Sequence, residues 1–196
     1  MLVSFMRSHI QSLSARVLKG YLSPKAASVN PKFFWRNLNE TMTAKEMYFA
    51  FGSNMNPDRM RERKAFFIER VGAKLSDHKM SFTFRRPDGC GSCNIKPEKN
   101  SVVYGALYTL ESGGLDRLDV FEMVSKGCYR RQCVIVETSE GEKIEATTYV
   151  VTDEFYQEGL VPRRDYLDHC LAGKDVLPAE YFNFLESYKD VCKDWN

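Results

Sequence analysis

The sequence predicts an α+β fold whose strands form a closed or strongly curved mixed sheet, with helices between and after them. Three observations carry that expectation. Strand-like runs crowd the middle of the chain, amphipathic helical stripes flank them, and 196 residues with 43% hydrophobic and 13% aromatic content suffice for one core without disulfide staples. No run of about 18 apolar residues is present, so no membrane-spanning helix is expected. A net charge of +2 gives neither a nucleic-acid grip nor an acidic tail.

Charge is unevenly spread. Residues 1–40 hold Arg7, Arg16, Lys19, Lys25, Lys32 and Arg36 against the single acid Glu40, with Leu2, Phe5, Met6, Ile10, Leu13 and Val17 at helical spacing. An acid-poor, Ser-rich opening of this kind resembles an organelle transit peptide, which places the protein in the mitochondrion. A disordered basic arm on a cytoplasmic protein is the alternative. The folded domain is expected over residues 46–192.

Residues 47–51 read as a short buried strand running into Gly52-Ser53-Asn54. Asn56 before Pro57 is an N-cap with proline at the first helical position, so residues 58–64 read as one or two helical turns. Two strands follow at 66–75 and 79–85, split by Ser76 and Asp77, and a Gly-rich loop is expected from Pro87 to Ser92. Residues 101–110, apolar on both faces, make a central strand. After the Gly113-Gly114 break, Leu115, Leu118 and Phe121 mark a helix that Gly127 ends. Residues 129–138 and 143–152 form a hairpin with Ile144, Ala146, Thr148 and Val150 on one face. Pro162 opens a helix through Leu171, and Pro178 opens the last, with Tyr181, Phe184, Leu185 and Tyr188 as its docking stripe.

Two features bear on chemistry. A strand running into Gly-Ser-Asn and then a capped helix can present backbone N–H donors to an anion or a developing oxyanion, although the turn is also an ordinary connection. The glycines and lysine of phosphate-binding and dinucleotide loops are missing. Glu122, among Phe121, Met123 and Val124, is a partly desolvated acid suited to general-base work, and Asp116 and Asp119 share its segment. His78 and His169 have no acid or cysteine at metal-ligand spacing. Cys90, Cys93, Cys128, Cys133, Cys170 and Cys192 read as packing thiols, the Cys90-Gly-Ser-Cys93 pair lacking a convincing second zinc pair.

With MYFAFGSNMN at 47–56, GALYTL at 105–110, LDVFEMVSKGCYRR at 118–131 and PRRDYLDHCLAG at 162–173 in that order, the chain resembles the γ-glutamylcyclotransferase-like family. The resemblance implies a small mixed β-barrel with flanking helices and a pocket at the end of the first strand. The family's substrate loop, usually Tyr-Gly-Ser-Asn, falls on Phe51, Gly52, Ser53 and Asn54, entered through Tyr48, Phe49 and Ala50. Its catalytic glutamate falls on Glu122, and Tyr129 and Tyr166 complete the substrate site. There are two departures. Phe51 lacks the tyrosine hydroxyl, worth about 1 kcal/mol if it made a hydrogen bond, and Met123 stands where glycine usually follows the acid, where it would narrow the pocket or re-aim Glu122.

The implied activity is a cyclotransferase of the lyase or acyltransferase type. It converts a γ-glutamyl amino acid or γ-glutamylamine to 5-oxoproline and the free amine by intramolecular aminolysis, with Glu122 as general acid and base. No metal or cofactor is implied. The expected partners are the small-molecule substrate and a second copy in a homodimer, not nucleic acid or membrane. A glutathione-specific enzyme and a non-catalytic module that binds γ-glutamyl groups or acidic peptides remain alternatives. Each requires a cavity fitted to a folded-back glutamyl chain beside Gly52.

Overall fold

The computed structural model describes residues 45–193, so the leader expected over 1–40 lies outside the described residues. Five strands close into a barrel in the order β1-β3-β2-β4-β5. They are β1 (Glu46–Ala50), β2 (Phe67–Arg85), β3 (Gly91–Leu110), β4 (Tyr129–Thr138) and β5 (Lys143–Val151). All neighbours are antiparallel except β1 and β5, which meet in parallel at Tyr48 and Thr147 and complete the ring. Closure removes the unpaired edges that a sheet of this size would otherwise expose. Fully buried Phe49, Val103, Leu107, Leu110 and Val136 are among its core residues.

Two expectations about the strands need correction. Residues 66–75 and 79–85 fall in one strand, β2, because its pairing with β3 runs on past Ser76 and Asp77: Ser76 faces Val102 and His78 faces Pro97, so the extra residues of the irregularity lie in β3. The register against β3 shifts between Ser76 and His78, and Asp77 takes a left-handed φ of 55°. The Gly-rich loop is likewise short, since β3 already begins at Gly91. A Cβ on Gly91 would stand 2.8 Å from the Phe82 Cβ and 2.9 Å from the Leu160 Cβ, so this glycine serves close packing inside a strand.

Four helices flank the barrel: α1 (Pro57–Glu62), α2 (Gly114–Phe121), α3 (Arg164–Leu171) and α4 (Ala179–Glu186). Asn56 caps α1 as its sequence signature predicts, its Oδ1 accepting from the N–H groups of Asp58 at 2.9 Å and Arg59 at 3.4 Å. Helix α2 is capped from a distance, where the Glu46 carboxylate accepts from the Leu115 N–H at 2.9 Å and the Gly113 N–H at 3.3 Å. This bond ties the start of β1 to the helix that delivers Glu122. Leu115 and Leu118 dock α2 on the core, but Phe121, expected on the same stripe, is exposed. Its ring instead carries the Arg63 guanidinium at 4.8 Å. Tyr166, Leu167 and Cys170 dock α3, and Leu185 docks α4, while Phe184 of the expected α4 stripe faces outward.

Candidate active site

β1 ends at Ala50 and leads through Phe51 and Gly52 into a 3-10 turn, Ser53–Met55. The first amides of a helical turn have no acceptor within it. Met55 is the first to find one, the Gly52 carbonyl at 2.9 Å, which leaves the Ser53 and Asn54 N–H groups for a ligand. The turn is clamped from below. The Tyr108 hydroxyl donates to the Asn54 carbonyl at 2.9 Å, and Arg70, itself held by Asp175 at 2.6 Å, donates to the Met55 carbonyl at 2.8 Å.

Gly52 is required by space. A Cβ there would lie 2.9 Å from the Cys93 Cβ and 3.0 Å from the Tyr166 hydroxyl. Cys93 is in turn a junction between two tyrosines: its N–H donates to the Tyr166 oxygen at 2.9 Å, and its carbonyl accepts from the Tyr129 hydroxyl at 3.1 Å. The strand end, β3 and α3 are thereby locked into one wall.

Glu122 closes α2, where its N–H reaches the Leu118 carbonyl at 2.8 Å. Its side chain crosses to the Gly-Ser-Asn corner and is 16% exposed. Oε1 accepts from the Asn54 amide nitrogen at 3.0 Å and from Arg63 at 2.8 Å. No described residue donates to Oε2, so one carboxylate oxygen is fixed and the other is open to a substrate proton. Met123 follows with a left-handed backbone, φ 52° and ψ 42°. It keeps the conformation that glycine adopts without cost, and its side chain packs partly buried against the core. Met123 is not among the residues that line the cavity.

The cavity is lined by Tyr48, Phe51, Gly52, Ser53, Asn54, Cys93, Glu122, Tyr129, Tyr149 and Tyr166. Of the positions expected from sequence, Glu122, Tyr48, Phe51, Gly52, Ser53, Asn54, Tyr129 and Tyr166 all converge on it. Phe49 and Ala50 do not. The Phe49 ring packs in the core near Phe51, at 6.4 Å between centroids, and the backbone carbonyl of Phe49 is used by Thr148. Three participants escaped the sequence reading: Cys93, Tyr149 and Arg63. Tyr149 carries an aromatic at an odd position of β5 and was placed on neither face. Arg63 falls on a helix surface where arginines are usually solvated.

Burial pushes the hydroxyls of Tyr48, Tyr129, Tyr149 and Tyr166 far above their ordinary range, with the charge of Glu122 adding to the effect at Tyr48 and Tyr129. These tyrosines therefore keep their protons and act as hydrogen-bonding walls, not as bases. Asn54 is 4% exposed and its Oδ1 has no hydrogen-bond partner, because both bonds of its side-chain amide, to Tyr48 at 2.7 Å and to Glu122, leave from the nitrogen. An orphan acceptor beside a carboxylate is a place for a donor-rich, cationic group.

The enclosed space is about 30 Å³, within a hollow of about 310 Å³ that opens to solvent. That is room for roughly one water molecule. The expectation of a ready-made cavity for a folded-back glutamyl chain is thus corrected: the space beside Gly52 must widen to admit one. A larger hollow of about 680 Å³ lies elsewhere, between the β4–β5 turn and residues 175–178. Its Lys74 and Glu137 neutralise each other at 2.9 Å. Among the described residues no group of three His, Cys, Asp or Glu side chains is placed to hold a metal ion.

A closed five-stranded barrel with a carboxylate facing a Gly-Ser-Asn corner defines a class of small α+β protein, and comparisons give the class a name. Residues 102–185 match the AIG2-like family. The chain is 32% identical to a γ-glutamylcyclotransferase of Homo sapiens over 146 residues, covering 69% of this chain and 74% of that protein. It is 30% identical to one of Bos taurus over 150 residues, covering 72% and 77%. A solved γ-glutamyl cyclotransferase structure superposes with a TM-score of 0.65 at 25% identity, covering 75% of this chain and 97% of that one. The chain belongs to the γ-glutamylcyclotransferase-like family.

Proposed function

We propose that this protein is a cyclotransferase that releases 5-oxoproline and a free amine from γ-glutamyl compounds. One observation carries the reading most of the way: the Glu122 carboxylate is fixed by Asn54 across a tyrosine-walled cavity from the Ser53 and Asn54 N–H groups. Relatives named γ-glutamylcyclotransferase support it.

The substrate's α-ammonium sits against the orphan Asn54 Oδ1 and Glu122. Oε2 takes one proton from it, and the freed amine attacks the γ-carbonyl carbon of the same molecule. A C–N bond forms, and the carbonyl oxygen gains negative charge that the Ser53 and Asn54 N–H groups stabilise. The old C–N bond then breaks as protonated Glu122 gives its proton to the departing nitrogen; the restored carboxylate takes the remaining extra proton from the new ring nitrogen and passes it to the released amine, which leaves as an ammonium with Glu122 as it began. Because the nucleophile is tethered to its target, the chain's own task is to bend the substrate and move that proton.

Incubating the purified protein with a panel of γ-glutamyl amino acids, γ-glutamyl-lysine and glutathione, and detecting 5-oxoproline, tests the proposal. Product from at least one member is expected. Binding without product across the panel would instead support the non-catalytic module.

A further inference from the structure

Two cysteines meet in the wall of the cavity. The Sγ atoms of Cys93 and Cys170 lie 3.9 Å apart, and both residues are buried. Among the described residues they are the one pair of cysteine sulfurs in contact. Neither thiol takes part in the proton transfers above. Cys93 lines the cavity, where its Sγ would stand 3.3 Å from a Cβ on Gly52, so a small solute that enters meets this sulfur. Cys170 lies behind it, fully buried in the last turn of α3. Burial, and then the contact with Cys93, hold the Cys170 thiol well above its ordinary range. A thiol kept protonated is a poor target for solutes, but its neighbour's sulfur needs no path through solvent to reach it.

A disulfide requires about 2.0 Å between the sulfurs, so the pair must close by about 1.9 Å. Cys93 has little freedom to move. It is paired with Phe82 across the sheet, and its N–H and carbonyl are held by Tyr166 and Tyr129. The end of α3 must therefore supply most of the shift. That end touches the site twice. Tyr166, a cavity wall, precedes Cys170 by one turn on the same helix face. Gly173, just beyond, packs on the Ser53–Met55 turn, where a Cβ would lie 2.9 Å from the Met55 Cβ.

We propose that Cys93 and Cys170 form an oxidation site, which hydrogen peroxide entering the cavity converts to a disulfide that staples β3 to α3 and holds the cavity shut. The Cys93 sulfur attacks one peroxide oxygen. An S–O bond forms, the O–O bond breaks, and the thiol proton leaves with the other oxygen as water. The Cys170 sulfur then attacks the Cys93 sulfur, so that an S–S bond forms, the S–O bond breaks, and the hydroxyl leaves with the Cys170 proton as a second water. Two thiols together give up two electrons, and one peroxide takes them. The space beside Gly52 holds about one water and must widen before a glutamyl chain fits. The Cys93–Tyr166 hydrogen bond can open for that widening, whereas a covalent link between the same two elements cannot. A thiol reductant reverses the link. The effect on turnover rests on the cyclotransferase reading and adds a control to that site.

The test treats reduced protein with excess hydrogen peroxide and digests it without reduction. Mass spectrometry should find a linked peptide pair joining Cys93 to Cys170, with two hydrogens lost, and dithiothreitol should abolish it. Cys170→Ala should stop at the Cys93 sulfenic acid, which dimedone traps. In wild-type protein kcat/KM for γ-glutamyl-alanine should fall about 10²-fold on oxidation, the scale of a displacement of about 1 Å, and recover on reduction. Hydrogen exchange reads closure without any substrate: the Ser53 and Asn54 amides should exchange about 10-fold more slowly in the linked protein. If reduced protein never yields 5-oxoproline, the cyclotransferase reading fails, and the linked peptide with slowed exchange still establishes the oxidation site. Cys93 and Cys170 that both remain free thiols after peroxide, or a linked form with unchanged amide exchange, overturns the proposal.

Discussion

The two walls of the cavity each have a position where the family pattern carries glycine, and they treat it in opposite ways. At Gly52 φ is −125°, outside the left-handed region, but the Cys93 Cβ and the Tyr166 hydroxyl leave no volume for a side chain. At residue 123 the conformation is left-handed, φ 52°, yet the side-chain direction is open enough for methionine to pack against the core. Glycine at the first site answers crowding, and at the second it relieves a conformational cost of about 1 to 2 kcal/mol. A conformational cost can be offset by packing, whereas a clash with two locked neighbours cannot. This chain accommodates methionine at residue 123 and has glycine at residue 52, with Glu122 aimed at the corner.

The largest effect expected from either wall is at the base itself. Glu122→Gln keeps the shape but cannot accept a proton, and should lower kcat by about 10²- to 10⁴-fold with substrate affinity largely retained. Near-normal product release from a folded variant would remove the carboxylate from the mechanism. Next comes Gly52→Ala, which forces Cys93 or Tyr166 to move. Overpacking should cost about 1 to 3 kcal/mol in denaturant unfolding, and displacing the corner should lower kcat/KM by roughly 10²-fold. Met123→Gly should do far less. Relief of the left-handed strain is set against lost packing and about 1 kcal/mol of glycine backbone entropy, so unfolding stability should shift by no more than about 1 kcal/mol and kcat by a few-fold. If Met123→Gly proved as damaging as Gly52→Ala, the contrast between crowding and conformation would be wrong.

The smallest effect concerns the seam between α1 and α3. Asn56 spends its Oδ1 on capping α1, so its amide nitrogen donates to the His169 Nδ1, which requires that nitrogen to be unprotonated. Burial first, and then the charge of Arg59, hold the imidazole below its ordinary 6.5. The unfolded chain therefore binds the proton more readily than the folded one. The contribution of His169 to stability is full above pH 6.5 and is lost as the pH falls through the lower folded value. Thermal unfolding followed from pH 7.5 to 5 should show this loss, and His169→Gln should flatten it.

Much of this architecture was legible in the sequence because local signals and tertiary demands agree. Asn56-Pro57 caps α1, residues 129–138 and 143–151 make the expected hairpin, and the strand into Gly-Ser-Asn stands opposite Glu122. Where the two conflict, local signals mislead. Ser76-Asp77 has the chemistry of a turn, but the pairing of β2 with β3 runs on past it. Gly91 looks like a loop residue and sits inside a strand because Phe82 and Leu160 crowd it. Phe121 fits the helical period, yet its ring faces a guanidinium from another helix. In the site, single-strand alternation could not say that Phe49 leaves the cavity while Phe51 lines it, since Phe49 lies within β1 and Phe51 beyond its end at Ala50. Nor does any local pattern distinguish Arg63 from a solvated helix charge. Its significance depends on Glu122, far along the chain.

The central claim is that Glu122 receives the proton of the reacting amine. A crystal structure of Glu122→Gln with an uncleaved γ-glutamyl amino acid bound would test it most directly, by the distance from the substrate's α-nitrogen to the side chain of residue 122. The account predicts hydrogen-bond reach, about 2.6 to 3.2 Å, with the γ-carbonyl oxygen turned toward the Ser53 and Asn54 amides. A substrate bound with its α-nitrogen directed away from residue 122 and into solvent would contradict it.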